Sequence, residues 1–394
     1  MLGVVFLLAL LALVLALRGT GSSTHNAAAG ATGNGGAPAL SPSDISDAEK
    51  ARRAAIAALG PIKTRTGTNA ADLYRQALGF YAALTDKEKD MLNHRHDKLD
   101  PKAADALSSK LQPIMDLLRH ARDADYVDWG MGPLTPGTDM SWRIRQARSL
   151  GSVALWESDY RFQSDPDGAV SDLAALVAMG RSESDSPLGV MFENNFRTAA
   201  IQSIAQNAGG ISINASADLA YIADPDAAQQ SFQNAMNGEV SALQNVQAQY
   251  ANQPLPPMDG ETPPSPAQFA AIVQFMEKTA QALGTNISEP QAQFQQWWSQ
   301  QLGAAANVYE GTNALQSQEG IIAREQASMV QNAMLSAGIA LEQGNQAQFQ
   351  SIVDPSTGQP FTYSQTATGF QLASPTHFGN RPAVTLSFSI PAVK

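Results

Sequence analysis

One cluster of histidines in the sequence could bind a metal ion. His94 and His96 flank an arginine, and His120 follows 24 residues after the second of them. Side chains two residues apart on a helix point about 200° away from each other, so the first two could share an ion only in an extended segment. Such a segment is possible before Asp100, where a helix is expected to begin. We favour a solvated basic turn without a metal, and a site formed by His94, His96 and His120 is the alternative.

A second cluster combines carboxylates with aromatic rings. Asp123, Asp125 and Asp128 lie beside Tyr126 and Trp129. Glycosidases need two carboxylates close to a ring on which a sugar can stack. The pattern is therefore compatible with a hydrolytic cleft, and an exposed helix end explains it equally well.

Three aromatic residues lie close together in the segment EPQAQFQQWWSQQL: Phe294, Trp297 and Trp298. Two adjacent tryptophans are not expected to face the same core, so one of them could present a platform for a glycan or a peptide. We favour packing in the core for this group. Together with Trp129, these residues are the candidate binding residues of the chain.

Opposite charges recur at helical spacing in several places. The i,i+4 pairs are Glu157 with Arg161, Glu193 with Arg197, and Asp116 with His120. Such pairs usually lie on helix surfaces and stabilise a helix by roughly 0.2 to 0.5 kcal/mol each. We predict that these three pairs are surface stabilisers and not catalytic groups.

Composition excludes several classes of function. The chain has 394 residues and no cysteine, which excludes disulfides, thiolate metal sites and a cysteine nucleophile. Its pI of about 4.9 argues against nucleic acid as a partner. It contains no G-x-S-x-G elbow, no phosphate-binding loop and no dinucleotide fingerprint. We expect no cofactor and no catalytic residues.

The N-terminus has the most distinctive pattern. Residues 2–17 (LGVVFLLALLALVLAL) are all apolar, and Arg18 follows them. At 1.5 Å per residue this run spans roughly 24 Å, which suits a short membrane anchor or the core of a signal peptide. We predict an anchor or signal segment at 1–18 and a flexible Gly/Ala/Ser linker at 19–43.

The expected location is the inner membrane, with a single pass and a periplasmic body. The basic residues that follow the apolar run, Arg18, Lys50, Arg52 and Arg53, favour the opposite orientation if the positive-inside rule is applied literally.

The rest of the chain is predicted to be mainly helical. Asp-Pro-x-x-Ala occurs at Asp100, Asp165 and Asp224, where aspartate can cap a first turn and proline is tolerated at the first helical position. Residues 85–88 (TDKE) fit a capping box. Pro113 is expected to kink or split the helix that contains it. We predict an irregular helical bundle, or repeat-like helical hairpins, with a helical subdomain at 44–253 and a second helical segment at 267–352.

Two further segments interrupt the helical pattern. Six prolines between 254 and 266 (PLPPMDGETPPSP) indicate an extended linker or crossover. From residue 353 the apolar period changes from helical to alternating, and the alternation is clearest at Val384, Leu386 and Phe388. We therefore predict a small antiparallel β-meander at 353–394.

Three stretches carry a family resemblance. They are TNAADLYRQALGFYAAL at 68–84, DPDGAVSDLAALVAMGR at 165–181 and DPSTGQPFTYSQTATGFQLAS at 354–374. The chain resembles uncharacterised exported helical proteins of planctomycete, verrucomicrobial and acidobacterial envelopes. Its closing segment is similar to the β-strand end of pseudopilins, although the chain lacks their phenylalanine-first, glutamate-containing helix. The resemblance implies an envelope location and a helical architecture, and it implies no activity.

Two hypotheses about function follow. The first is a non-catalytic, membrane-tethered helical scaffold or binding module of the cell envelope, whose partner is an envelope protein or a wall polymer. The alternative is an envelope hydrolase that acts on glycan or peptide through the acidic-aromatic cluster or the histidine segment. The lack of a recognisable nucleophile or metal set favours the first.

Overall fold

A computed structural model describes residues 66–94, 100–130, 141–184, 186–249, 265–308, 311–379 and 381–389. The predicted anchor and linker lie outside these residues, as do His96 and most of the proline-rich segment. In the part of the chain that is described, no helix is both long and apolar enough to cross a membrane.

The described chain is mainly helical, with a small sheet at its C-terminal end, which confirms the predicted fold class. The helices in chain order are α1 (Ala70–Ala82), α2 (Asp86–Asn93), α3 (Pro101–Arg122), α4 (Ser141–Arg161), α5 (Pro166–Arg181), α6 (Pro187–Gln206), α7 (Ser216–Ile222), α8 (Pro225–Gln249), α9 (Pro266–Asn286), α10 (Gln291–Ala305), α11 (Gly311–Glu342) and α12 (Gln346–Ser351). Two 3₁₀ turns, Ala208–Gly210 and Ile213–Ala215, join α6 to α7.

Four helices begin where the sequence predicts that they should. The carboxylates of Asp100, Asp165 and Asp224 accept hydrogen bonds from backbone N–H groups in the first turns of α3, α5 and α8. Thr85 and Glu88 form the predicted capping box of α2. Of the two outcomes predicted for Pro113, a kink or a split, the split does not occur, because α3 runs without interruption from Pro101 to Arg122.

The first of two hydrophobic clusters joins most of the helices to the sheet. It takes side chains from α1 to α7, from the second half of α11 and from the C-terminal strands. Helix α5 lies inside it, with nearly every residue from 169 to 180 buried. Gly180 of α5 and Gly151 of α4 allow neighbouring helices to approach closely, since an added Cβ at either position would meet an atom of α6 within 3 Å.

The second hydrophobic cluster is formed by α8, α9, α10 and the first half of α11. Phe232 and Met236 of α8 and Phe269 and Met276 of α9 are buried in it. Helix α11 contributes to both clusters and also packs against α6 and β5. The long helix therefore holds the two cores together.

Two small antiparallel sheets follow the last helix. Strands β1 (Val353–Asp354) and β2 (Gln359–Pro360) form a short hairpin, and β3 (Thr362–Thr366), β4 (Gly369–Ala373) and β5 (Thr385–Ser389) form a meander in that order. The predicted alternation holds, because Leu386 and Phe388 of β5 are buried and their neighbours are more exposed. Phe388 stacks on Phe370 of β4 with ring centroids 4.7 Å apart.

Candidate functional site

The histidines are spread over the surface of the described chain. His94, at the end of α2, and His120, near the end of α3, are both exposed, and each ring Nδ1 lies within hydrogen-bond distance of a backbone oxygen on its own helix. Because His96 lies outside the described residues, the three histidines cannot be placed together. Among the described residues, no group of three or more histidine, aspartate or glutamate side chains is arranged to hold a metal ion. The metal site thus stays a sequence-based alternative.

The three aspartates of the acidic-aromatic cluster are exposed, and each has a local partner. Asp125 Oδ2 accepts a hydrogen bond from the Thr68 N–H at 2.7 Å, and Asp128 Oδ1 accepts one from the Gly130 N–H at 2.7 Å. Asp123 accepts a hydrogen bond from Nε of its neighbour Arg122 at 3.1 Å. The Asp125 carboxylate therefore anchors the segment that follows α3 to the start of α1, and the backbone of Asp128 adds two hydrogen bonds to the side chain of Asn69.

Trp129 lies in a group of packed side chains instead of on an open surface. Its ring stacks on Tyr74 with centroids 5.9 Å apart and planes inclined by 17°. The guanidinium carbons of Arg143 and Arg75 lie 5.2 and 5.7 Å from its ring centroid. Tyr74 is fully buried, and this burial raises the pKa of its hydroxyl. These neighbours occupy much of the surface on which a sugar ring would stack.

The aromatic residues of α10 divide into buried and half-buried members. Phe294 and Trp298 are buried and stack on each other with centroids 6.1 Å apart. Trp298 Nε1 also donates to Glu319 Oε1 of α11 at 3.4 Å. Trp297 is half-buried and packs against the same cluster. The expectation that adjacent tryptophans cannot share a core is wrong, because a broad cluster can cover both sides of the helix.

A small pocket lies next to the start of α10. The empty space in it is about 220 Å³ including its open mouth, and the part that can hold the centre of a water molecule is about 10 Å³. The α9–α10 turn, α11 and the C-terminal segment form its walls. The lining residues are Ile287, Ser288, Glu289, Gln291, Gln326, Met329, Val330, Pro355, Ser356 and Phe378.

One of the two glutamine side chains in this pocket has a buried acceptor without a partner. Gln291 Oε1 is buried and has no partner among the described residues. Gln326 is 5% exposed, and neither atom of its side-chain amide is among the buried polar atoms that lack a partner. Leaving a buried polar group without a partner costs about 1 to 3 kcal/mol, so Gln291 Oε1 suggests an ordered water or a ligand group at this position.

The turn after β1 supports one wall of the pocket. Asp354 is fully buried, and its Oδ1 accepts hydrogen bonds from Ser356 N–H at 2.8 Å and from Ser356 Oγ at 2.6 Å. The Ser356 carbonyl in turn accepts a hydrogen bond from the Gln291 N–H at 2.8 Å. The sequence DPSTG therefore positions the first residue of α10 as well as turning the chain.

The prediction that Glu193 and Arg197 lie on a helix surface is wrong. Both side chains are buried on α6, where they form an ion pair between α5, α8 and α11. Asn194 donates a hydrogen bond to Glu325 of α11 at 2.8 Å, and Arg197 lies 3.3 Å from Ser328 Oγ of the same helix. Burial raises the pKa of Glu325 to about 7 and also raises the pKa of Glu193, although Arg197 acts in the opposite direction.

Glu157 is also buried, and Arg161 is not its partner. Glu157 Oε1 accepts hydrogen bonds from Ser108 Oγ and Gln112 Nε2 of α3, both at 2.8 Å. Arg161 instead pairs with Asp172, a fully buried residue of α5. For the third pair, Asp116 bonds Arg119 through its carboxylate at 2.7 Å, while His120 reaches only the Asp116 backbone oxygen.

One sequence signal could have located the buried pair of α6. The segment PLGVMFENNFRTAAIQSIAQ has apolar residues on every face of the helix, so a charged pair within it must be covered on at least one side. The pocket has no comparable signal, because its walls come from three segments that are distant in sequence.

Comparisons with protein-family models, with curated proteins and with solved structures find no match for this chain.

Proposed function

We propose that the chain is a non-catalytic binding module, tethered to a membrane by its N-terminal apolar run and engaging a partner protein through α10 and the adjoining pocket. The observation that carries this proposal is the arrangement of α10. Phe294 and Trp298 anchor the helix in the core, and Trp297 beside them is only partly buried. A rigid, partly exposed tryptophan is typical of interaction surfaces.

A partner protein is favoured over a wall polymer. Binding of glycan rings usually needs an open aromatic face, and Trp298 is already stacked on Phe294. Trp297 is tilted by 45° against Trp298, so the two rings do not form one flat platform. The nearby pocket adds polar groups that could fix the orientation of a polypeptide.

The proposed tether is the apolar run at the N-terminus. Residues 2–17 contain no polar side chain, and a run of that length suits a short anchor. An envelope location agrees with the resemblance to exported helical proteins. Cell fractionation with protease shaving tests both points, because the full chain should sediment with membranes and a chain without residues 2–17 should not. A full chain found free in the cytosol would contradict the tether.

The binding surface can be tested with a photo-crosslinking amino acid in the full-length chain. Placed at Trp297, benzoylphenylalanine should give one discrete adduct with a protein that mass spectrometry identifies. Phe80, a 50% exposed aromatic residue on α1, provides a matched control position that should give none. Equal adducts at both positions, adducts with peptidoglycan fragments only, or no adduct at Trp297 would contradict the proposal.

A further inference from the structure

We propose that strand β3 (Thr362–Thr366) pairs in antiparallel orientation with β3 of a second copy of this chain. The two meanders form one continuous sheet across a two-fold axis. This inference goes beyond the proposed function and does not depend on it, because neither Trp297 nor the pocket takes part in the contact. It is carried by the open edge of the sheet, by the lack of charge along that edge, by the symmetry of the β3 sequence and by an aromatic stack that ends at the edge.

Strand β3 is an edge of the meander in the described part of the chain, where the strand order is β3-β4-β5. All five of its residues are exposed. Thr366 and Gly369 flank the two-residue turn to β4, so they exchange the backbone hydrogen bonds that close the hairpin. Hydrogen bonding alternates along an antiparallel ladder, and the N–H and C=O groups of Tyr363 and Gln365 therefore point away from β4. These groups are a template for one more strand.

The edge has none of the features with which protein sheets usually avoid pairing. Such features are charged side chains, a proline, a bulge or a covering segment. The sequence of β3 is TYSQT, its register with β4 is one-to-one, and its residues are exposed. Residues 355–380 contain no aspartate, glutamate, lysine or arginine, although the chain has a net charge of -11. Two copies can therefore approach each other along this neutral edge without strong repulsion.

The sequence of β3 is complementary to itself. Antiparallel pairing centred on Ser364 overlaps all five residues and places this serine opposite Ser364 of the second copy. Thr362 then lies opposite Thr366, and hydroxyl side chains in such positions can hydrogen-bond across strands. On the other face Tyr363 lies opposite Gln365, and each of these pairs exchanges both of its backbone hydrogen bonds. An isologous contact of this kind closes as a dimer.

An aromatic stack crosses the sheet and ends at the β3 edge. Phe388 of β5 stacks on Phe370 of β4 with ring centroids 4.7 Å apart, and Phe370 stacks on Tyr363 at 5.7 Å. Phe388 and Phe370 are buried, whereas Tyr363 is 49% exposed. In the proposed register the two Tyr363 rings are diagonal neighbours, a separation that aromatic side chains can span. Each ring then covers exposed surface of the other.

A single introduced thiol tests the pairing, because the chain contains no cysteine. Ser364 and its counterpart form a non-hydrogen-bonded pair with Cα atoms about 4.5 Å apart, within the range that a disulfide bridges. Ser364→Cys in the full-length chain should therefore give a covalent dimer when a lysate of the expressing cells is oxidised with copper phenanthroline.

Ser387→Cys is the matched control for this experiment. Ser387 is exposed on β5 and lies in line with Ser364 across the sheet, on the same face. Its counterpart in the proposed dimer is five strand spacings away, or about 24 Å. We expect the covalent dimer to form at least about tenfold faster with Ser364→Cys than with Ser387→Cys.

Analytical ultracentrifugation of the full-length chain in density-matched detergent measures the dimer without a crosslink. Two five-residue strands bury less area than the about 1,200 Å² of a typical stable interface, so we expect reversible dimerisation between about 1 and 100 μM. Ser364→Lys places two like charges opposite each other, and Gln365→Pro removes an outward N–H without removing a bond of the β3–β4 ladder. Each should weaken dimerisation at least about tenfold, whereas Ser387→Lys should leave it unchanged. Urea denaturation of Ser364→Lys should match that of the wild type, because the position is exposed.

Four results would overturn the inference. They are a wild-type chain that stays monomeric over this concentration range, equal rates of crosslinking at positions 364 and 387, a dimer that Ser364→Lys leaves unchanged, and a disulfide from position 364 to a different protein. Trp297→Ala should leave the dimer unchanged. A dimer without an adduct at Trp297 contradicts only the proposed function, and a monomer with that adduct contradicts only the pairing of β3.

Discussion

Glu193 and Arg197 lie one turn apart on α6 and form an ion pair in which both side chains are buried. Glu325 lies across from them on α11 and is held by Asn194. A buried ion pair recovers little energy relative to water, but removal of one partner leaves an uncompensated charge in the interior. The pair therefore makes the packing of α6 against α11 dependent on a specific register.

Replacement of Arg197 by methionine should strongly destabilise the protein. The change removes the buried cation beside Glu325 and leaves Glu193 only the longer contact with Arg181 at 3.5 Å, and we expect a loss of about 3 to 5 kcal/mol in the free energy of unfolding. Urea denaturation monitored by circular dichroism measures it. Arg148→Met, at an exposed position on α4, is the control and should change stability by less than about 0.5 kcal/mol. If Arg197→Met also changes the free energy of unfolding by less than about 0.5 kcal/mol, the ion pair is not needed for stability.

Glu239 should make the stability of the protein depend on pH. Burial alone raises the pKa of this α8 carboxyl to about 7 from an ordinary value of 4.5. The folded state therefore binds the proton more tightly than the unfolded state does. The contribution of Glu239 to stability is fully present below about pH 4.5 and is lost as the pH rises through about 7.

Glu239→Gln removes this titrating group, so the stability of the variant should fall less as the pH rises. The difference in unfolding free energy between variant and wild type should grow by about 3 kcal/mol in favour of the variant between pH 4.5 and pH 8. Urea denaturation at several pH values checks this, with Glu277→Gln as the control. A difference that does not vary with pH would mean that Glu239 is hydrated in the folded protein.

Gly338→Ala should disturb the contact between α11 and the sheet. A Cβ added at Gly338 would lie 1.9 Å from a ring carbon of Phe388, so the ring or the strand must move. We expect the free energy of unfolding to fall by about 1 to 3 kcal/mol, which urea denaturation measures. Combining it with Phe388→Leu should recover part of the loss.

Gly320, on the same helix, is the matched control for this change. It is exposed, and an added Cβ there meets no atom within 4 Å. Gly320→Ala should therefore stabilise the protein by up to about 1 kcal/mol through helix propensity. Destabilisation by both variants to the same extent would contradict the close approach at Phe388.

The two tryptophans of α10 should separate folding from binding. Trp298→Ala removes a buried ring and should cost about 3 to 5 kcal/mol in the free energy of unfolding. Trp297→Ala removes a partly buried ring and should cost clearly less. An excess of this variant should not reduce the adduct formed by benzoylphenylalanine at position 297, whereas an excess of the wild-type chain should. If Trp297→Ala is as destabilising as Trp298→Ala, the Trp297 ring stabilises the core, and the proposal that it binds a partner is contradicted.

Local signals in the sequence predicted much of this fold. An aspartate cap and the following proline act within a single helical turn, so Asp100, Asp165 and Asp224 mark helix starts whatever surrounds them. The alternation at Leu386 and Phe388 likewise requires only that one face of a strand be covered. The mainly helical class and the C-terminal meander follow from such short-range patterns.

The burial of charge was decided by tertiary structure alone. Glu193 with Arg197 has the same spacing as a surface pair, and only the packing of α5, α8 and α11 around α6 makes it buried. The pocket likewise depends on Gln291, Gln326 and Phe378 meeting across long separations in sequence. Spacing along a chain specifies which side chains share a helix face, but the neighbours that cover that face come from elsewhere in the chain. For this protein the sequence thus determined the mainly helical class, several helix starts and the C-terminal meander, and the tertiary structure decided which polar groups lie inside.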